Sequence, residues 1–263
     1  QFASSAASDV YKRQGATSII ITVEGGGFDR LSVEDNGSGI DRDDLPLALD
    51  RHATSKLRTK DDLASIVSLG FRGEALASIG MVSRLQISSK PAGEAGACIV
   101  MEDGVKSAIQ PMGMGDGTLI TVEHLFRNTP ARLAFQRRPE TETARIVDVV
   151  VDHALAHPGC AFHLRTEQRT LLNVPATDNM LDRLYDIMGA QATELVPLQQ
   201  PPVDDDAPGA ERWSGWISTP DITRGKGDDI HVLINNRPVG AGPFLQAIRR
   251  GYKTRLMQGR HPL

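Results

Sequence analysis

Two cysteines, Cys98 and Cys160, are all that this 263-residue chain contains. They stand too far apart for a metal-ligand or redox motif and read as reduced, packed residues. No apolar run approaches the ~20 residues of a membrane span, which argues against a membrane partner. The first fourteen residues show neither helical nor strand periodicity and no apolar stretch long enough for a signal peptide. Acidic residues are missing from the whole of Ile230 to Leu263, where Arg237, Arg249, Arg250, Lys253, Arg255 and Arg260 lie. What remains is ordinary: 40% hydrophobic, 24% charged and a net charge of −4, the make-up of a globular protein with one large domain or two smaller ones.

The pattern along the chain alternates strands and helices. Ser18 to Val23 is a strand candidate, and the glycines between Glu24 and Phe28 turn it back into Leu31-Ser32-Val33. Asp41 is placed to cap a helix running to about Arg51, with Leu45, Ala48 and Leu49 on its apolar face. Asp61-Asp62 heads a second short helix, with Leu63, Ile66 and Val67 inward. Val82 to Ser88 is a strand. Ala97 to Glu102 and Val105 to Gln110 flank Asp103-Gly104, a two-residue hairpin signal. Gly117 to Val122 is another strand. Thr141 to His157 is helical, stops at Pro158-Gly159, and carries His153 as a packed helix-face residue. Strands at 162–165 and 170–174 and a helix from Asp178 to Met188 follow. Gln199 to Ala210 is a polar, proline-bearing loop. Trp213 to Thr219 and Ile230 to Ile234 are strands. Gly242 to Met257 is a helix with Phe244, Leu245, Ile248 and Leu256 inward and Arg249, Lys253 and Arg260 on its polar side.

Three stretches carry chemistry. In Asp35-Asn36-Gly37-Ser38-Gly39-Ile40 an aspartate at a strand end meets Gly-x-Gly. Its carboxylate can accept a hydrogen bond from an amine, and the glycines leave bare backbone beside it. Taken alone, the same residues also describe a plain Asx turn. Arg51-His52-Ala53-Thr54-Ser55-Lys56 groups cations and hydroxyls suited to phosphate oxygens, or to the solvated end of a helix. Ser68-Leu69-Gly70-Phe71-Arg72-Gly73-Glu74-Ala75-Leu76-Ala77-Ser78-Ile79 places two glycines before an apolar-periodic segment. That arrangement offers free N–H groups and a positive dipole end to an anion. A glycine turn with Glu74 complementing a helix start would look the same.

Taken in this order and spacing, D-N-G-S-G-I, R-H-A-T-S-K and G-F-R-G-E-A-L-A-S-I resemble the amino-terminal ATPase module of the MutL family of DNA mismatch repair proteins. Gly117-Thr118-Leu119-Ile120 and Leu125-Phe126-Arg127-Asn128-Thr129-Pro130-Ala131-Arg132 extend the likeness. The N-T-P-A-R run separates this family from other members of the GHKL superfamily, such as topoisomerase subunits. The resemblance implies an α/β fold, an α+β sandwich of the GHKL or Bergerat type over residues 15–175. A partial α/β domain like domain 2 of ribosomal protein S-five is implied over residues 176–263.

The resemblance also implies ATP and Mg²⁺ as cofactors. Asp35 would meet the adenine amine, with Thr118 supporting the same polar network and Gly37 and Gly39 shaping the base site. Thr54, Ser55 and Lys56 would line a mobile lid. Gly70, Phe71, Arg72, Gly73, Glu74, Ala75 and Leu76 would cradle the phosphates. Counting back from Gly15, Ala6 stands where the family has its catalytic Glu and Val10 where it has the Mg²⁺-binding Asn; Arg13 and Gln14 replace Asp-Ala. Residues 1–14 are therefore expected to be a non-native leader, no general base is assignable, and the chain is expected to be cut at its carboxy end as well. Expected partners are DNA, contacted through Arg237, Arg249, Arg250, Lys253 and Arg255, a second MutL-type subunit in a homodimer or heterodimer, and a mismatch-recognition protein of the MutS type. The expected location is cytoplasmic and nucleoid-associated, or nuclear in a eukaryote.

Overall fold

The computed structural model describes residues 15–50, 75–198, 212–225, 227, 229–257 and 259–262. The chain divides into two compact units, Gln1–Asn179 and Met180–Leu263. The helix expected at Asp61 to Val67 and the loop from Gln199 to Ala210 lie outside the described residues.

In the first unit the chain runs β1 (Ser18–Glu24), β2 (Arg30–Asp35), a single helical turn α1 (Leu45–Ala48), α2 (Ala75–Gly80), β3 (Arg84–Lys90) and β4 (Ala97–Glu102). It continues through β5 (Val105–Lys106), β6 (Gln110–Pro111), β7 (Gly117–Glu123), α3 (Pro130–Ala134), α4 (Pro139–Ala156), β8 (Ala161–Thr166) and β9 (Thr170–Val174). Among the described residues one sheet collects all nine strands in the order β5-β4-β3-β7-β2-β1-β8-β9, with β6 beside β4. Among the described strands only the β1–β8 pair is parallel. The β1–β2 turn is built on Gly25–Gly27, where Gly26 lies so close to Pro139 that a Cβ would sit 2.7 Å from its Cα. The long helix α4 thereby docks on this turn, with Ile146 against Gly27. The hairpin at Asp103-Gly104 has positive φ at both residues, 49° and 86°, the geometry that matches strand twist.

Register explains where the core sits. Leu31, Val122, Leu85 and Met101 are lateral neighbours across four strands. Val33, Ile120, Ile87 and Ile99 form the next row on the same face. Strand side chains alternate, so these rows make one apolar face. Leu45 and Leu49 at α1 and Ile79 of α2 cover it as buried members of the same cluster. The third row on that face is Asp35, Thr118 and Ser89. Both cysteines are buried, and neither forms a disulfide among the described residues.

Several boundaries differ from the sequence expectation. Asp41 has extended dihedrals and makes no side-chain cap. The expected longer helix reduces to a 3-10 turn at Arg42–Asp44 and the one turn of α1. Pro46 has no N–H to continue the ladder, and Leu49 and Asp50 bond back three residues, to Pro46 and Leu47. The helix α4 begins two residues before Thr141, with Pro139 in its first turn. His153 is packed, as expected, but a second histidine does stand one turn on. The His157 ring stacks on that of His153 at 6.4 Å.

The second unit contains α5 (Met180–Met188), β10 (Leu195–Pro197), β11 (Trp216–Ser218), β12 (Thr223–Arg224), β13 (Val232–Ile234), β14 (Arg237–Val239), α6 (Gly242–Tyr252) and β15 (His261–Pro262). Its strands pair as β10–β11, β12–β15 and β13–β14. Asn235 and Asn236, at φ 51° and 57°, turn the last hairpin; short amide side chains tolerate this conformation. The helix α6 stops at Tyr252, not at Met257, because Lys253 adopts φ 53° and ψ −128°. Tyr252, not Leu256, is its inward anchor: the buried hydroxyl donates to the Ser218 carbonyl at 2.6 Å. Tyr252→Phe is expected to lower the stability of this unit by about 1–2 kcal/mol, since a buried acceptor loses its donor. Denaturant unfolding followed through near-ultraviolet signals of Trp213 and Trp216 measures it.

Candidate nucleotide site

The polar row at the end of the apolar face has a definite chemistry. Asp35 closes β2 and is 6% exposed; Thr118 and Ser89 are each 1% exposed. Burial pushes the Asp35 carboxyl up to about 6 from 3.8. The Gly37 and Thr118 backbone N–H groups pull it back down, and the neighbouring Glu34 charge adds a smaller upward push. The Gly37 N–H donates to Asp35 Oδ1 at 2.9 Å. A carboxylate is an acceptor with several lone-pair sites, so one this desolvated can take a further donor such as an amine.

Ser89 is the hub behind Asp35 and Thr118. Its Oγ accepts from the Ile40 N–H at 2.7 Å, donates to the Gly117 carbonyl at 3.0 Å and lies 3.1 Å from Thr118 Oγ1. It thus ties the D-N-G-S-G-I loop to the start of β7. Asn36 makes a second tie: its Oδ1 accepts from the Thr17 and Ser18 N–H groups, each at 2.9 Å, and its Nδ2 donates to Thr17 Oγ1. Sequence reasoning assigned neither role. The available signal for Ser89 was the hydroxyl pair Ser88-Ser89 near the end of β3, with Ser89 at the alternate position that continues Leu85 and Ile87.

The glycines divide by function. Gly39, at φ 76°, presses on the chain itself: a Cβ there would lie 2.7 Å from Pro91 N and 2.8 Å from the Lys90 carbonyl. At this position the bare backbone receives the end of β3. Gly117, at φ 122°, passes so close to Asp35 that a Cβ would fall 2.0 Å from its carbonyl oxygen. Ala75 and Leu76 open α2, and Leu76 packs partly buried against the core cluster. Thr54, Ser55, Lys56, Gly70, Phe71, Arg72, Gly73 and Glu74 lie outside the described residues, as do Ala6 and Val10. The structure therefore brings together Asp35, Gly37, Gly39 and Thr118 of the expected nucleotide residues and adds Ser89 and Gly117. No group of three or more potential metal-ligating side chains occurs among the described residues, and none of the described helices is long and apolar enough to cross a membrane.

In the second unit, Arg249 and Arg250 occupy the last turn of α6 and Lys253 and Arg255 the turn after it. All four are exposed, and none makes an ion pair among the described residues. Arg237 sits apart in β14 and is half-buried. Arg260 is not on the helix: its guanidinium donates to Thr223 Oγ1 and the Thr223 carbonyl.

Comparison with known proteins agrees with this arrangement. Residues 13–109 match the family described as histidine kinase-, DNA gyrase B-, and HSP90-like ATPase, and residues 187–263 match the DNA mismatch repair protein, C-terminal domain. The chain is 40% identical over 246 residues to the DNA mismatch repair protein MutL of Halalkalibacterium halodurans, covering 93% of this chain and 38% of that protein. The MutL protein of Trichlorobacter lovleyi is 41% identical over 250 residues, covering 95% of this chain and 41% of the relative. The chain thus spans about two fifths of the length of these relatives. Among solved structures, the N-terminal domain of a DNA repair protein superposes with a TM-score of 0.75 at 23% identity, over 94% of this chain and 76% of that one. The Aquifex aeolicus MutL ATPase domain complexed with ADP superposes with a TM-score of 0.63 at 23% identity, over 90% and 80%. The fold is that of the MutL ATPase domains, and the chain belongs to the MutL family of DNA mismatch repair proteins.

Proposed function

We propose that this chain is a DNA mismatch repair ATPase module that binds Mg-ATP with the adenine amine on Asp35. The observation that carries the reading is the buried, desolvated Asp35 carboxyl held beside Thr118 and Ser89 at the edge of the apolar face. The base lies against this row. Thr54, Ser55 and Lys56 sit at the lid, and Gly70, Phe71, Arg72, Gly73, Glu74, Ala75 and Leu76 hold the phosphates, mainly through backbone N–H groups. Mg²⁺ would be held through the phosphates, since the Val10 side chain has no ligating atom where the family has its metal-binding Asn. The metal's share of the chemistry is charge neutralisation on the transferring phosphoryl group; this chain's share is to hold and orient the nucleotide.

Ala6 offers no carboxylate to activate water, so turnover is suppressed more than binding; a positioned general base contributes ~10²–10⁴-fold. The module then acts as an ATP-gated scaffold: it pairs with a second MutL-type subunit, contacts DNA backbone through Arg249, Arg250, Lys253 and Arg255 with Arg237 alongside, and answers a mismatch-recognition protein of the MutS type. A cytoplasmic, nucleoid-associated location, or a nuclear one in a eukaryote, belongs to the same reading. Calorimetric titration with ATP and GTP, run beside a phosphate-release assay, tests it. Saturable ATP binding stronger than GTP binding, with phosphate release near background, is the expected pair of results. Equal affinity for both nucleotides would remove Asp35 as the base-reading group, and release well above background would remove the scaffold reading.

A further inference from the structure

We infer that the segment from Pro130 to Arg138 is a contact element for single-stranded nucleic acid, separate from the nucleotide site and from the cations of the second unit. Two independent features point to it. The first is exposure of the wrong kind for a surface without a partner. Phe135 is 89% exposed and Leu133 44% exposed. Arg132, Arg137 and Arg138 accompany them, also exposed. There is no Asp or Glu anywhere between Glu123 and Glu140. Arg127 is spent on Glu102 and Asp103, whereas Arg132, Arg137 and Arg138 make no ion pair among the described residues.

The second feature is the mount. His124 and Phe126 both hold positive φ, 54° and 67°, a conformation that side-chain-bearing residues adopt only when their surroundings impose it. The surroundings do. The His124 N–H donates to the Asp29 carbonyl, that of Leu125 to Phe28, and that of Phe126 to Val82 at 2.7 Å. Asn128 Nδ2 donates to the Met81 carbonyl and to Asp103 Oδ1, each at 2.9 Å. The chain is thus clamped just before α3, which presents Arg132 and Leu133 outward, with Phe135, Arg137 and Arg138 exposed on the stretch directly after it.

The chemistry that fits is a polyanion with an accessible π-face. Three unpaired guanidiniums suit phosphates, and an exposed phenyl ring suits a base that has left its stack. A duplex keeps its bases stacked and offers nothing to Phe135. Pairing of this face with its own copy would bring six arginines together, which disfavours that occupant.

The test is fluorescence anisotropy of a labelled 20-nucleotide thymidine strand and of a duplex of equal length, across a salt series, with the full chain. Phe135→Ala is expected to weaken single-strand binding about 10-fold, with duplex binding unchanged within twofold. Phe135→Trp is expected to restore it. Changing Arg132, Arg137 and Arg138 together to Gln is expected to flatten the log–log salt slope for the single strand by about two. Thermal unfolding of each variant verifies that an exposed position has not cost the fold. The inference is overturned if the unaltered chain fails to bind the strand, or if Phe135→Ala and the triple variant bind it as the unaltered chain does. It is also overturned if only Arg249→Ala with Lys253→Ala lowers binding, which would leave the second-unit patch standing alone. Self-association lost in Phe135→Ala, with strand binding intact, would reassign the face to a second copy.

Discussion

Replacing Asp35 with asparagine is expected to weaken adenine-nucleotide binding by about 10- to 100-fold while making the unliganded chain more stable at neutral pH. The two effects have one cause. Asp35 is almost fully buried, and its carboxyl is pushed up to about 6. A folded-state value above the unfolded one means that the fold holds the proton more tightly. The stabilisation from that proton is fully present below about pH 3.8 and is lost as pH rises through about 6. At pH 7.5 the ionised group sits in the fold at a cost of up to about 3 kcal/mol, which the neutral amide avoids.

An adenine amine donating to the carboxylate recovers this cost in the bound state, as a charge-assisted hydrogen bond of ~1.5–3 kcal/mol. ATP affinity of the unaltered chain should therefore fall as pH drops below about 6, and that of Asp35→Asn should stay flat through the same window. Calorimetry at pH 5.5, 6.5 and 7.5 reads the affinities, and denaturant unfolding at the same pH values reads the stabilities. An Asp35→Asn variant less stable than the unaltered chain at pH 7.5 would contradict the burial argument even if binding were lost.

Gly117→Ala is expected to be the most damaging one-methyl change near the site, at about 3 kcal/mol or more. Its Cβ would lie 2.0 Å from the Asp35 carbonyl oxygen and 3.0 Å from Asn36 Cα, and its φ of 122° is foreign to alanine. Both neighbours are backbone and cannot swing away. Relief requires β7 to part from the end of β2, which separates Thr118 from Asp35 and breaks the Ser89 contacts to Gly117 and Thr118. Gly113→Ala is the control, since nothing lies within 4 Å of its would-be Cβ. Chemical denaturation of the two variants should differ by most of the predicted amount. Equal stabilities would show that the strand ends part at little cost.

The strands and their turns were legible because their signals are local. The alternation in Leu31 to Glu34 and the Asp103-Gly104 turn specify their own conformations, and the nucleotide-type motif around Asp35 was readable from its residue order. Helix ends were less legible. Pro46 shortens α1, and the bond from Tyr252 to Ser218, 34 residues away, fixes where α6 stops. Neither Asp41 nor Leu256 carried that information. The polar row was the least legible feature. Asp35, Ser89 and Thr118 come from three strands and meet only through register, so the Ser88-Ser89 hydroxyl pair by itself does not mark Ser89 as the hub. The same holds for Gly117, whose need for a bare Cα arises from the approach of Asp35. The phosphate-cradle glycines Gly70 and Gly73 remain where the sequence reading put them, as a proposal.

The most direct measurement is thermal unfolding of the chain with and without excess Mg-ATP, in parallel with Asp35→Asn. A ligand at ~100 times its dissociation constant adds roughly 2.7 kcal/mol to the folded state. An upward shift of the melting temperature in the unaltered chain, cut to about half or less in Asp35→Asn at the same nucleotide concentration, is the predicted result. A cooperative transition that Mg-ATP leaves in place for both proteins, or shifts equally in both, would contradict the assignment of Asp35 as the group that reads the base.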